Sequence, residues 1–363
     1  MSFYKKNGSS FTVEIRKHIL KFNFPAKTSR GAINKKVTYF LKITDLKTGI
    51  FGIGECSPLP GLSLEYDESY EEKLIFYADE LLNLGKLESF YELPDIKLYP
   101  SILFGVEIAY HDLIKGGNKL LFDSSFATGQ EGIPINGLVW MGDKDFMLKQ
   151  MTEKLEKGFN CIKIKIGGID FEDECFLLKI LRQQFTESDI TIRLDANGAF
   201  KPDNALDKLE KLSQFSIHSI EQPIKQGQWN EMAMVCEKSP IAIALDEELI
   251  GITDKSAKIK MLEAINPQYI ILKPSLIGGF KMSDEWIKLA ESKKIGWWIT
   301  SALEANVGLN AIAQYTAIYN DLIPQGLGTG QLYHNNIDSP LEIQDGKLHL
   351  KLNNKWQEVF QRE

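Results

Sequence analysis

Two apolar rhythms run along the chain. In the segments TVEIRKHILKFNF, KKVTYFLKITD and GIFGIGE, between residues 11 and 55, β-branched and aromatic residues dominate, with Lys-Thr-Gly at a turn. That pattern predicts a β-meander. The next segment, CSPLPGLSLE, holds two prolines and a glycine and reads as a loop. Residues 67–84 and 99–115 read as helices. The second, PSILFGVEIAYHDLIKG, is apolar on nearly every face, so burial is expected. Strands followed by helices predict an N-terminal α+β domain over residues 1–125.

From Ile133 the rhythm changes to short apolar runs separated by helix-length stretches. Strands are predicted at 133–139, 161–166, 190–195, 217–221, 241–246, 268–273, 295–300 and 322–326. Helices fall near 143–157, 171–185, 202–214, 228–238, 254–264, 279–293 and 306–319. Such an alternation closes into a barrel. The predicted fold class is α/β: a (β/α)7β modified TIM barrel over 126–340, behind the α+β domain. The tail 341–363 opens with a hairpin that has Asp-Gly at its turn. It is expected to pack back on the N-terminal domain and complete it.

Five charged residues end successive runs: Lys165, Asp195, Glu221, Asp246 and Lys273, at gaps of 30, 26, 25 and 27 residues. Barrel enzymes carry their chemistry at the C-terminal ends of the strands, so all five converge on one mouth. Buried carboxylates need a partner, and a cation supplies it. Three oxygen ligands, Asp195, Glu221 and Asp246, with no His or Cys beside them, suit Mg²⁺ or Mn²⁺ and not zinc. Alternation puts Lys163 and Lys165 on one inward face. Lys163 would then lower the pKa of Lys165 and make it a base; the competing reading is that both merely neutralise the acids. Lys273, across the ring, is either a second base or a fixed positive charge.

Several neighbours extend the site. Arg193 alternates with Asp195 and shares its face. Asn197 and Glu247 lie just past metal candidates, either as hydrogen-bond partners or as loop and cap residues. Gly167 and Gly168 either admit a substrate or turn the chain, the turn being preferred. Ser301 and Glu304 are polar residues at the same mouth, or else a helix N-cap and its capping-box partner. The GLGTG run at 326–330 is glycine-rich but lacks the setting of a dinucleotide site.

Composition narrows the partners. With 363 residues, 44% of them hydrophobic, the chain is long enough for a barrel and a further domain. A net charge of −7 argues against nucleic acid or an anionic membrane surface. No apolar stretch approaches a bilayer span, and no h-region follows the N-terminal MSFYKKNGSSF. A cytoplasmic protein with four free thiols, Cys56, Cys161, Cys175 and Cys236, is expected. Homo-oligomerisation is left open. There is no GxSxG elbow and no Walker sequence, and of five histidines only His334 falls near a strand end. A barrel without activity is disfavoured because all five charged positions are filled.

The segments KIKIG, RLDANGAF, EQP, DEE and KPSLIGG, in this order, resemble the enolase superfamily and its muconate-lactonizing-enzyme subgroup. The resemblance implies metal ligation by Asp195, Glu221 and Asp246 and catalysis by Lys165 and Lys273. It also implies a capping domain whose loop, GIGECSPLPGLSLE, closes over the substrate. Within the subgroup, GECSPLPGLSLE and SALEANVGL are most similar to the o-succinylbenzoate synthases, with Ala302 and Ala305-Asn306 where those enzymes commonly have serines. Dipeptide epimerases carry Asp-x-Asp after strand eight; here the segment is GLGTGQL. Mandelate-racemase-type enzymes have a histidine on strand seven; here it ends Ile299-Thr300-Ser301. The implied reaction is a Mg²⁺-dependent syn elimination of water from a small carboxylate, with Lys165 as base and acid and Lys273 as a cation. The alternative is racemisation of an N-succinylamino acid or a dipeptide on the same scaffold.

Overall fold

The computed structural model describes residues 3–28 and 31–360. Four antiparallel strands come first: β1 (Tyr4–Asn7), β2 (Phe11–Thr28), β3 (Gly31–Asp45) and β4 (Phe51–Cys56), in that spatial order. Strand β1 was not anticipated from the sequence. Helices α1 (Tyr70–Leu84), α2 (Leu87–Phe90) and α3 (Pro100–Ile114) follow. Helix α3 is buried along almost its whole length because it lies directly on β4. Glycines make that approach: a Cβ at Gly52 would run into the backbone of Ala109, and one at Gly54 into that of Gly105.

The second half alternates strand and helix, apart from a split first strand and one split helix. After β5 (Ile133–Pro134) and β6 (Gly137–Val139) come α4 (Lys144–Glu156), β7 (Cys161–Lys165), α5 (Phe171–Gln184), β8 (Thr191–Asp195) and α6 (Ala205–Ser213). Then follow β9 (Ile217–Glu221), α7 (Trp229–Lys238), β10 (Ala242–Leu245), α8 (Lys255–Ile265) and β11 (Tyr269–Leu272). A short α9 (Pro274–Ile277), α10 (Gly279–Ser292), β12 (Gly296–Ile299) and α11 (Asn306–Thr316) complete the series. Strands β6 to β12 form one parallel sheet in sequence order, packed through a continuous apolar core.

The eighth expected strand, 322–326, shrinks to two residues. Gln325 bridges to Ile135 and Gly326 to Thr300, so this pair joins the two edges of the curled sheet. Pro324 has no N–H to extend the ladder. The first expected strand, 133–139, is divided, because Ile133–Pro134 pair with the tail and Gly137–Val139 with β7.

The tail forms its hairpin, β13 (Leu341–Gln344) and β14 (Lys347–Leu350), but not where it was expected. Strand β14 pairs with β5, on the barrel side. The N-terminal layer is reached only beyond the hairpin, where the Val359 carbonyl accepts from Arg16 and Phe360 lies under Lys42. The hydrophobic pattern of the hairpin identified it but not which edge it meets.

Helix α3 also ties the halves together. Buried Glu107 accepts hydrogen bonds from Phe280 N and Lys281 N, in the first turn of α10, and from the Tyr91 hydroxyl. Burial pushes its carboxyl up to about 7, against those bonds, which lower it. A carboxyl raised above its unfolded value stabilises at low pH, and the contribution fades as pH rises through the folded value. Relative to Glu107→Gln, the wild type should therefore lose up to ~3 kcal/mol between pH 5 and 8. Urea unfolding of both proteins at several pH values checks this; a pH-independent difference would contradict it.

Candidate active site

Strand register assembles the site. Lys165 stands opposite Asp195 on the neighbouring strand, and Asp195 opposite Glu221. Asp246 follows the last residue of β10, and Lys273 the last residue of β11. The carboxylates are almost fully buried, at 1% exposure for Asp195 and Asp246 and 2% for Glu221. Their lysines sit upon them. Lys163 Nζ lies 2.9 Å from Asp195 Oδ2 and also bonds Glu221. Lys165 Nζ reaches the same Asp195 Oδ2 at 2.8 Å, and Lys273 Nζ bonds Asp246.

Electrostatics separates the lysines. Burial lowers the pKa of Lys165, and repulsion from Lys163 adds to it, while Asp195 pulls the other way. Burial is the larger cause, where the sequence pointed only to neighbouring cations. For Lys163 and Lys273 burial also works against the charge, but their carboxylates outweigh it and hold both pKa values up. Asp195 is held well below the carboxylate range, because Lys163 and Lys165 overcome its burial. Burial, then Asp195, pushes Glu221 up to about 8.

Among the described residues, no three His, Cys, Asp or Glu side chains are gathered closely enough to hold a metal as placed. The donor set nevertheless suits a hard cation. Glu221 Oε1 and Asp246 Oδ1 are buried and lack a hydrogen-bond partner in the structure. With Asp195, in register with Glu221, they supply three carboxylate oxygens from three successive strand ends, Asp246 lying two residues past Ala244, the partner of Glu221.

Beside them, lined by Asp195 but not by Glu221 or Asp246, lies a cavity of about 360 Å³. Lys163, Lys165, Lys273, Asp195, Asn197 and Ser301 line it, together with Trp140, whose ring centroid is 5.7 Å from Lys165 Nζ. The cap contributes Ile33 and the loop residues Leu59 to Leu62. Gly326, Gly328 and Thr329 of the glycine-rich run form another wall.

The remaining sequence candidates divide. Asn197 accepts from Lys165 Nζ at 2.9 Å and donates to Glu247 Oε1 at 3.1 Å, linking the amine to a buried acid. Arg193 lies behind the wall, bonding the Pro324 carbonyl at 2.6 Å and stacking on Trp298. Gly167 takes φ +87° and donates to Glu174, so the glycine pair is a turn. Ser301 is not a helix N-cap, since α11 begins at Asn306 with Ala305 as its cap. Its hydroxyl meets that of Thr329 at 2.6 Å. Glu304 does not face the cavity; it is buried and bonds Ser275 Oγ and Ala302 N. Sequence reading missed Gln222, which accepts from Asp246 N at 3.3 Å and donates to Glu248 at 3.1 Å. Its place beside Glu221, before a proline, was the available signal.

The family model for enolase C-terminal domain-like proteins matches residues 147–353. An o-succinylbenzoate synthase of Desulfotalea psychrophila is 46% identical over 94% of this chain and 99% of its own. The crystal structure of MenC from that organism superposes with a TM-score of 0.84 at 43% identity, covering 94% of this chain and 100% of that one. A dipeptide epimerase from Enterococcus faecalis, complexed with Mg and L-Leu-L-Tyr, shares the fold at 21% identity and a TM-score of 0.80, covering 93% and 96%. The chain belongs to the enolase superfamily, within the o-succinylbenzoate synthase family.

Proposed function

We propose that the chain converts 2-succinyl-6-hydroxy-2,4-cyclohexadiene-1-carboxylate into 2-succinylbenzoate and water, the o-succinylbenzoate synthase reaction of menaquinone biosynthesis. The observation that carries this reading is the 46% identity to such a synthase over nearly the whole of both chains. The site supplies the chemistry.

Enolase-superfamily synthases generally depend on a divalent metal. Here Asp195, Glu221 and Asp246 would hold Mg²⁺ or Mn²⁺. When bound, the ion supplies positive charge to the substrate carboxylate, where negative charge accumulates as the α-proton leaves. Asp195 and Asn197 fix the Lys165 amine at the cavity wall. Burial favours its neutral form, so it takes the α-proton. The C–H electrons become the new ring double bond, the C–O bond breaks, and Lys165 returns the proton to the departing hydroxyl. A syn elimination needs only this one side chain on one face. Lys273, held charged by Asp246, then stands as a fixed cation. Two-base racemisation would instead require it to exchange protons.

The test is the absorbance of the cyclohexadiene, followed with and without Mg²⁺, alongside polarimetry of N-succinyl amino acids. Metal-dependent loss of the diene signal at rates well above racemisation is expected. Efficient racemisation with negligible dehydration would move the chain to the racemase alternative.

A further inference from the structure

One fully buried ammonium takes no part in this chemistry. Lys36, on β3 of the cap, is 1% exposed. Its Nζ donates to Ser57 Oγ, to the Ser57 carbonyl at 3.4 Å and to the Leu303 carbonyl at 3.0 Å. An ammonium has three protons, and all three have acceptors. None of these oxygens is charged. Glu304 and Glu55 supply the nearby negative charge that opposes the effect of burial.

The acceptors lie at the roots of two cavity walls. Ser57 precedes the cap loop whose Leu59 and Leu62 line the cavity, and Ala302 and Leu303 line it from the barrel. Leu303 takes φ +66°, a left-handed conformation that a branched side chain adopts only when its surroundings impose it. Its carbonyl accepts from Lys36 and, at 2.7 Å, from the Tyr333 hydroxyl. Glu55 makes a second tie beside the first, accepting from Ala305 N and Gly308 N at 2.7 Å each.

We propose that Lys36 is a positioning residue for substrate binding: it clamps the cap loop to the loop after β12 and so fixes the apolar wall formed by Leu59, Leu62, Ala302 and Leu303. This rests on the dehydratase reading for its substrate, and on geometry alone for the clamp. The wall is apolar and carries no group that moves a proton, so losing the clamp weakens binding of ground state and transition state alike. That raises KM and leaves kcat in place.

The experiment uses Lys36→Met, which keeps an unbranched side chain, one atom shorter, and removes the donors. KM for the cyclohexadiene should rise at least about tenfold with kcat within about threefold, and Mn²⁺ affinity by titration should be unchanged. Amides in segments 58–62 and 302–305 should exchange hydrogen about tenfold faster, while those of β7 and β8 keep wild-type protection. The milder Ser57→Ala, which serves if Lys36→Met does not fold, should raise KM about threefold. Unchanged KM in a folded variant, or a fall in kcat at constant KM, overturns the proposal. The exchange measurement uses no substrate: unaltered exchange removes the clamp whatever the reaction, whereas a wild type that does not dehydrate the diene removes only the functional reading.

Discussion

Replacing Lys165 by alanine should lower kcat about 10⁴-fold, the upper end of what one acid–base side chain supplies, because this residue handles the proton twice. The protein should remain folded and bind Mn²⁺ with wild-type affinity. Removing one partner of a buried ion pair is normally destabilising because it strands the other charge. Here Asp195 keeps Lys163 at 2.9 Å, so no carboxylate is stranded. Single-turnover kinetics and a Mn²⁺ titration on the same preparation check both halves. Dehydration retained within about tenfold of wild type would remove Lys165 from its assigned role.

Glu221→Gln should separate metal binding from folding. At 100 times its dissociation constant a ligand stabilises by about 2.7 kcal/mol. For a chain of 363 residues that raises the wild-type Tm by roughly 3–5 °C in saturating Mg²⁺. The variant should show almost none of this shift and almost no turnover. Without metal it should be at least as stable as wild type above neutrality. The Glu221 carboxyl is pushed up to about 8, chiefly by burial, so its ionisation destabilises the metal-free protein as pH rises from the unfolded value toward 8. Glutamine carries no such penalty and still offers an acceptor to Lys163. Thermal melts at pH 6 and 8.5, with and without Mg²⁺, give all four values. A full Mg²⁺ shift in the variant would exclude Glu221 as a ligand.

The five charged strand ends were legible because a buried apolar run cannot end in a charge without a purpose, and their spacing matched a strand–helix repeat. The barrel followed from the same periodicity. What stayed hidden was long-range. Glu304 lies three residues beyond Ser301, and a capping box was a fair local reading. Yet the chain turns at Leu303 and sends the carboxylate back to Ser275 and Ala302. Lys36 gave no sign, because alternation in β3 makes it one more lysine after Lys35, and only the loop after β12 reveals that its face is covered. The β13–β14 hairpin was recognisable from its turn, but any open strand edge would have accepted it.

The pairing of β5 with β14, and of Ile135 with Gln325, bears on how the molecule is made. The segment that opens the barrel half of the sequence takes its partners from the segment that closes it. While the chain is being synthesised, strands β6 to β12 can zip together one after another, each meeting a neighbour already present. The β6 edge cannot be sealed until residues 325–348 have left the ribosome. Until then the nascent sheet presents an open edge, the kind of surface that recruits chaperones or a second chain. The ring thus closes after the other strands, and completion of the catalytic pocket waits for residues 325–348.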